Sequence, residues 1–470
     1  MKRLISTISF TVLLAVPLFA ADRPNIVLVM ADDQGWGDTA YNGHPELVTP
    51  HLDAMAKAGL RFDHFYAAAP VCSPTRGSVM TGRHPNRFGC FTWGRTLRPQ
   101  EVTIAERLKD VGYTTGHFGK WHIGSVLKDS PVSPGNSGFD HWLSAFNFYD
   151  NDPVLSRNGT AVEIKGESSI IAVDAAIDFI KQSSQKKQPF LAVVWFGSPH
   201  SPHRAAKEDL VHYPDIKKPH WHGEITGLDR AVGKLRQALR DENLHENTLF
   251  WYTSDNGGLK ESSSGGRGKK GSIYEGGLRV PAIIEWPARI KKPRVTKAPG
   301  NTVDIYPTVM DLLGIKLDKQ PLLDGISLVP VIDGKTDERA REMAFWSFAA
   351  GGIGTPSDQW MKQELAAQKA GKPYHSESRL MKNSGEIKSQ HPKDKLAGHA
   401  AWNDWPWKLH RIPKKNGDGK PKLELYNLSG DPMEKTDLAA KQPERVEKMS
   451  ADLEKWMKSV IGSLNGEDYK

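Results

Sequence analysis

Two carboxylates stand side by side at Asp32-Asp33, one residue beyond the apolar run Asn25–Met30, and an Asp255-Asn256 pair follows a second apolar run, Thr248–Thr253. Calcium takes about six to eight oxygen ligands from carboxylates and amide carbonyls, and these four side chains offer such oxygens from two strand ends. Lys120 and His122 lie two residues apart just beyond a predicted strand, Tyr113–Phe118. On extended backbone that spacing aims both side chains at one face. Cys72 stands two residues before Pro74 and four before Arg76. Proline suits a first helical turn, which puts Cys72 at a helix N-terminus, where free N–H groups and the helix dipole favour an anion. Arg76, one turn on, would point back at it.

The run Cys72-Ser73-Pro74-Thr75-Arg76-Gly77 resembles the maturation signature of the type I sulfatases, of the alkaline phosphatase-like superfamily. The likeness spans about Pro24 to Leu313. Pro24–Asp38 resembles the family's opening strand, and Thr253–Gly257 its second metal segment. Gly119–Gly124 carries its lysine and histidine, and Pro199-His200-Ser201-Pro202 fits its Pro-His-x-Pro pattern. Its Lys-Gly-x-x-x-Glu-Gly-Gly segment is matched by Lys270 to Gly277, which selects Lys270 over Lys269.

The resemblance implies a sulfuric ester hydrolase. Cys72 would be oxidised after translation to formylglycine, by a formylglycine-generating or anaerobic sulfatase-maturating enzyme. Asp32, Asp33, Asp255, Asn256 and the modified Cys72 would bind one calcium ion. Arg76 would hold the hydrated nucleophile, while Lys120, His200 and Lys270 bind the sulfate. His200 would protonate the departing alcohol, and His122 would contact the nucleophile and serve as a base. His203 has no shared catalytic counterpart and is expected to be a subsite or structural residue. A formylglycine-dependent phosphodiester or phosphonate hydrolase is the nearest alternative; such enzymes often use two ions with extra histidines, whereas this chain shows ligands for one. A catalytically inactive sulfoglycan-binding protein would have lost a ligand or the nucleophile, and none is lost.

Short apolar runs at Asn25–Met30, Phe190–Phe196, Thr248–Thr253 and Val280–Trp286 predict strands. They alternate with helical patterns at Ile170–Ile180, Ile225–Leu239 and Asp304–Leu313. A helix is expected from Thr49 to Gly59, and another opens on a Thr103/Glu106 capping box. The expected fold is α/β: a large, mostly parallel sheet flanked by helices, in a catalytic domain over residues 22–340. In such sheets ligands bind at the carboxyl ends of the strands. A smaller C-terminal domain over 341–470 is expected to hold an antiparallel sheet, with strands at Trp405–His410 and Leu423–Tyr426, and a helix from Pro443. Residues 351–400, rich in Gly, Lys, Ser and Gln, read as a surface excursion.

The chain has 470 residues, 38% hydrophobic and 25% charged, the composition of a soluble globular protein. The net charge of +8 suits an anionic substrate, and no nucleic-acid module is present. Met1-Lys2-Arg3, the apolar stretch Phe10–Phe19 and Ala20-Ala21 form the layout of a secretory signal peptide over residues 1–21. Export to the periplasm or beyond is expected, with no membrane span. The two cysteines, Cys72 and Cys90, provide no disulfide framework, and Cys90 is expected to be an incidental thiol, although their spacing permits a bridge. Loops at Arg83–Arg98, Ser125–Pro153, His203–His222 and Gly351–Ala401 are expected around the mouth. Trp93, Trp142 and Trp221 within them, and Trp402 just past the last, could stack on sugar rings, which favours a sulfated carbohydrate as substrate.

Overall fold

The computed structural model describes residues 23–317, 320–372, 386–414 and 419–469; the expected signal peptide lies outside them. Eleven strands of the described residues form one sheet: β1 (Asn25–Ala31), β2 (Leu60–Tyr66), β3 (Thr114–Lys120), β4 (His141–Ala145), β5 (Val154–Arg157), β6 (Thr160–Glu163), β7 (Phe190–Trp195), β8 (Thr248–Ser254), β9 (Arg279–Glu285), β10 (Arg294–Thr296) and β11 (Gly300–Asn301). Their order is β10-β2-β9-β8-β1-β7-β3-β4-β5-β6, with β11 beside β2. The central five, β8 to β4, are all parallel, and the flanking pairs β8–β9, β2–β9, β4–β5 and β5–β6 are antiparallel.

A parallel strand needs apolar side chains on both faces, because crossover helices cover both. β1 satisfies this residue by residue. Ile26, Leu28 and Met30 enter one core with Val79, Met80, Ile104 and Val309, while Val27, Val29 and Ala31 enter the other with Leu52, Val173, Leu228 and Val232. Helices Cys72–Thr81, Ile104–Asp110 and Ile305–Leu312 therefore lie on one face, and Pro50–Ala58, Ser168–Gln185 and His220–Asp241 on the other. Thr103 and Glu106 form the expected capping box. Thr49 precedes its helix without capping it; the hydroxyl accepts from the Ala40 N–H and donates to Asp53.

A second sheet holds β12 (Met343–Ser347), β13 (His399–Asp404), β14 (Trp407–Ile412) and β15 (Lys422–Asn427), antiparallel and in that order. Trp405-Pro406, expected inside a strand, instead make the two-residue turn between β13 and β14. The Pro443–Leu464 helix packs Leu453, Met457, Val460 and Ile461 against Trp346 and Ala400 of this sheet. The expected excursion at 351–400 is more ordered than its composition suggests. It carries a helix, Ser357–Lys369, whose Trp360 and Met361 are buried in the main core and whose Gln368 pairs with the Ala161 backbone of β6. β13 begins at its end, and residues 373–385 lie outside the described ones. Among the described residues no helix is long and apolar enough to cross a membrane.

The central strands should dominate stability. Leu28→Ala removes a side chain buried in the middle of the sheet and is expected to cost about 2–5 kcal/mol. Val295→Ala on the exposed edge strand should stay within about 0.5 kcal/mol. Chemical denaturation of the two variants checks the contrast; similar losses would show that the central packing is not what holds the fold.

Candidate active site

Parallel strands bring their carboxyl ends to one edge, and the sequence places a functional residue at four of them. Asp32 and Asp33 follow β1, Lys120 ends β3, His200 lies beyond β7, and Asp255 and Asn256 follow β8. Because β8, β1, β7 and β3 are adjacent, these residues meet. Backbone bonds continue the sheet into the loops: Asp255 N–H donates to Ala31 O at 3.2 Å and Asp32 N–H to Ser198 O at 3.0 Å. The fit at β3 depends on glycine. Gly119 has φ +106°, and a Cβ there would lie 2.0 Å from the Trp195 carbonyl oxygen.

Cys72 is the first residue of a helix whose ten residues are all buried. It comes off Val71 in extended conformation, and no side chain caps the free N–H groups of the first turn. Those groups therefore remain available to an anion at residue 72. Burial pushes the thiol up, against the pull of Lys120 and Lys270. The ligand atoms of Cys72, Asp32 and Asp255 lie within 4.8 Å of one another.

Around them charges alternate in sign. Lys120 Nζ donates to Asp32 Oδ2 at 2.6 Å, and Lys270 Nζ donates to Asp33 Oδ2 at 2.7 Å. Arg76 donates from Nε and Nη2 to Asp255 Oδ2 at 3.0 and 2.7 Å, and from Nη1 to the Lys120 carbonyl at 3.0 Å. The sequence had Arg76 pointing at residue 72; in the structure its donors go to Asp255 and Lys120, with the guanidinium 5.2 Å over the Trp195 ring. Burial would raise the Asp32 carboxyl, but Lys120 and His200 hold it below its usual range. Burial would lower Lys270, but Asp33 holds its ammonium above the usual lysine range. Asn256 Nδ2 donates to Asp33 Oδ1 at 2.8 Å, and Asp33 N–H donates to Asp255 Oδ1 at 3.1 Å.

The two histidines occupy different surroundings. His122 is buried, with no hydrogen-bond partner at either ring nitrogen, and burial followed by Lys120 and Arg76 pushes it well below the usual imidazole range. Those causes all favour the neutral ring, with both nitrogens left free of protein partners. Its approach differs from expectation: with φ +56° the backbone at His122 is left-handed, so the alternation of an extended segment does not place it. His200 sits at the rim with 23% of its side chain exposed, near Phe148. Its Nδ1 lies 2.6 Å from the Ser201 carbonyl, which fixes the proton there and leaves Nε2 3.7 Å from Asp33 Oδ2, on the side of the charge cluster.

Of the expected sugar platforms, Trp93 is 44% exposed. Its segment is tied to the Cys72–Thr81 helix by Gly94 N–H donating to Ser73 Oγ at 2.8 Å, and to the 351–355 segment by Ile353 N–H donating to Trp93 O at 3.0 Å. Trp142 and Trp221 are buried, Trp142 with its indole N–H on the Val126 carbonyl, and Trp402 packs against the C-terminal helix. Size and aromaticity made all four candidates, but Trp142 lies in β4, Trp221 in the His220–Asp241 helix and Trp402 in β13, where packing takes them. His203 pairs with Glu224 at 3.2 Å. Cys90 is a free, buried thiol whose Sγ lies 3.3 Å from the Arg95 carbonyl, so no Cys72–Cys90 bridge forms. Tyr149 was not anticipated. Its buried hydroxyl has no partner, sits near Asp32 and Arg76, and lies 3.0 Å from the Cβ position of Gly119; its loop position carried no motif that marks it. A cavity of about 610 Å³ near His84, Asp324 and Trp456 contains none of these residues.

A family model described as Sulfatase matches residues 24–315. N-acetylgalactosamine-6-sulfatase of Canis lupus familiaris is 33% identical over 355 residues, 67% of this chain and 67% of that protein. The ulvan-active sulfatase of Formosa agariphila is 31% identical over 357 residues, 70% of this chain and 69% of that protein. The solved structure of Ps i-CgsB in complex with k-i-k-neocarrahexaose superposes with a TM-score of 0.76 at 26% identity, covering 93% of each chain.

Removing Asp255 takes from the buried Arg76 guanidinium the carboxylate it bonds twice and leaves it only Asp32 Oδ1, at 3.7 Å, as counter-charge. Asp255→Ala is expected to destabilise the protein by about 3–5 kcal/mol, read as a lowered thermal midpoint. A loss as small as that of a surface substitution would mean that Arg76 finds another counter-charge.

Proposed function

The chain belongs to the sulfatase family and is a sulfuric ester hydrolase, and from that premise we propose that it removes sulfate from a sulfated carbohydrate with a nucleophile derived from Cys72. The observation that carries the reading is the convergence of Arg76, Lys120 and Lys270 with Asp32, Asp33 and Asp255 at the N-terminus of the Cys72 helix.

A hard cation fits these residues. Asp32 Oδ1 and Asn256 Oδ1 are buried oxygens without a hydrogen-bond partner, pointing to one ion held by Asp32, Asp33, Asp255, Asn256 and the modified residue 72. Calcium suits an all-oxygen set of this kind and when bound supplies positive charge to a sulfate oxygen and to the nucleophile. Formylglycine at residue 72 supplies, once hydrated, a hydroxyl that attacks sulfur. Cys72 is 2% exposed inside a wholly buried helix, so a formylglycine-generating or anaerobic sulfatase-maturating enzyme would reach it before the chain folds.

The chain's own side chains do the rest. Lys120, Lys270 and Arg76, held by Asp32, Asp33 and Asp255, place fixed positive charge around residue 72, where preorganised charge is worth more to an anion than in water. His200, with Nδ1 bonded to the Ser201 carbonyl, presents Nε2 beside Asp33 and is placed to protonate the departing alcohol. His122, neutral and buried, accepts a proton near residue 72 during release of sulfate. Exposed Trp93 and the positive charge of the chain favour a carbohydrate over a small aryl ester, as do the substrates in the names of the similar proteins. The sequence layout of residues 1–21 supports export, periplasmic or secreted. A two-ion phosphoesterase needs a second ligand cluster, and among the described residues Asp32, Cys72 and Asp255 form the one such group.

Peptide mass spectrometry of enzyme from a maturation-competent host should find formylglycine at position 72, and Cys72→Ala should abolish turnover. Full activity from unmodified cysteine would sink the mechanism. Metal analysis should give one calcium per chain; two zinc ions would support the phosphate-ester alternative. His200→Ala should slow a sugar sulfate far more than a nitrophenyl sulfate, whose leaving group needs no proton, by a difference of about 10²–10⁴. Equal losses on both substrates would leave His200 a binding role only.

A further inference from the structure

Lys408 lies on β14 of the small sheet and is wholly buried. Its Nζ donates to Glu275 Oε1 at 2.8 Å and lies 3.3 Å from Glu434 Oε1. Tyr66 OH donates to the other Glu275 oxygen at 2.9 Å, and the Glu275 N–H donates to Glu434 Oε2 at 2.7 Å. His410 Nε2 lies 2.7 Å from Glu434 Oε1, and His399 Nε2 lies 3.0 Å from His410 Nδ1. The directions agree: the Glu434 carboxylate fixes the proton on His410 Nε2, so His410 Nδ1 accepts from His399. This chain of bonds joins β13 and β14 and the segment after β15 to one residue of the main domain, Glu275.

Glu275 closes the loop that presents Lys270. Along that loop Lys270 N–H donates to Gly258 O at 3.0 Å, beside the Asp255-Asn256 pair, and Gly271 N–H donates to Pro70 O at 2.8 Å, beside Cys72. Gly276 N–H returns to Arg267 O at 2.8 Å, and a Cβ at Gly276 would lie 2.1 Å from the Gly268 carbonyl oxygen. The loop is thus packed without slack between the two segments that carry the carboxylates and the nucleophile. At its far end it hangs on the carboxylate of Glu275.

A buried ammonium between two carboxylates is a poor way to gain stability, since well-packed apolar residues commonly serve as well or better. Its directional bonds do what apolar packing cannot, which is to fix one position and orientation of Glu275. We infer that Lys408 and Glu434 are positioning residues for the reaction. Through Glu275 they hold the Lys270 loop so that Nζ meets Asp33 and the sulfate oxygens, and the small sheet is thereby part of the catalytic apparatus. The inference rests on the sulfatase reading above.

A double-mutant cycle tests it on full-length enzyme with the modification at residue 72 and the bound calcium quantified, using nitrophenyl sulfate. Lys408→Met should lower kcat/KM about 10-fold or more in the wild-type background but change it less than about 2-fold when Lys270 is already alanine, the non-additivity expected of residues in one network. Glu434→Gln, which keeps the shape and loses the charge, is run through the same cycle and covers the case in which Lys408→Met folds poorly. Equal factors in both backgrounds for a folded variant would overturn the inference, because a purely structural loss does not depend on whether Lys270 is present. An inactive wild-type enzyme would instead count against the sulfatase reading. The same cycle is then read in the affinity for inorganic sulfate, with the same non-additivity expected and additivity again overturning the inference.

Discussion

Everything at this site depends on a charge cluster that is almost dry. The side chains of Asp32, Asp255, Arg76 and Lys120 have no solvent exposure, and Asp33 has almost none. Each ion removed from water costs several kcal/mol unless its partners are placed to repay it, so no member can be moved alone. The parallel sheet meets that demand because β8, β1, β7 and β3 deliver their last residues to one edge in fixed register. A loop scaffold would have to order itself first, and the ordering entropy would oppose the cluster. The same logic explains why the Cys72–Thr81 helix is buried along its whole length: it brings both residue 72 and the Arg76 counter-charge into the cluster from one rigid element.

Much of this was legible in the sequence because the informative signals are local. An apolar run followed by Asp32-Asp33 says strand end plus carboxylates, and Asp255-Asn256 repeats the message; the structure pairs the two strands directly. Motif spacing selected Lys270 over Lys269, and Lys270 is the one bonded to Asp33. What escaped is what depends on distant partners. The Arg76–Asp255 pair spans 179 residues and Lys408–Glu275 spans 133, separations at which no local pattern exists. The His122 side chain is aimed by a left-handed backbone that a two-residue spacing argument does not foresee. Composition misled at 351–400, where Trp360 and Met361 bury a helix in a segment that reads as polar.

The site divides by depth. Inside lie Arg76, Lys120 and His122, all buried, the first two bonded within the charge cluster, where on the proposed reading they would meet the sulfate group that every sulfate ester shares. At the rim lie His200, Lys270 and Trp93, each partly exposed, on segments held by longer loops. The inner groups can be built into the sheet because their target never changes. The rim must admit an alcohol of particular shape, so it is made from the Trp93 loop, the 351–355 segment and the Phe148 region, joined by the Ile353 N–H to Trp93 O bond and the Asn147 side-chain bond to Thr355 O, with Phe148 packed on the His200 ring. Divergence in substrate can therefore proceed at the rim without disturbing the ion pairs beneath it.

Charge arithmetic then accounts for anion selectivity. Arg76, Lys120 and Lys270 balance Asp32, Asp33 and Asp255, so the protein alone is close to neutral where the sulfate must sit. A neutral cluster is one that can fold without self-repulsion. The proposed divalent cation, on the unpartnered oxygens of Asp32 and Asn256, would tip the balance to a positive site. Its charge would compete with Lys120 and Lys270 for the carboxylates and so leave the lysines freer to meet the ester's oxygens. A neutral alcohol product has no claim on that field, whereas the bound ester and the departing sulfate do. The arrangement thus favours the reactant anion over the alcohol by electrostatics alone, and leaves discrimination among sugars to the rim.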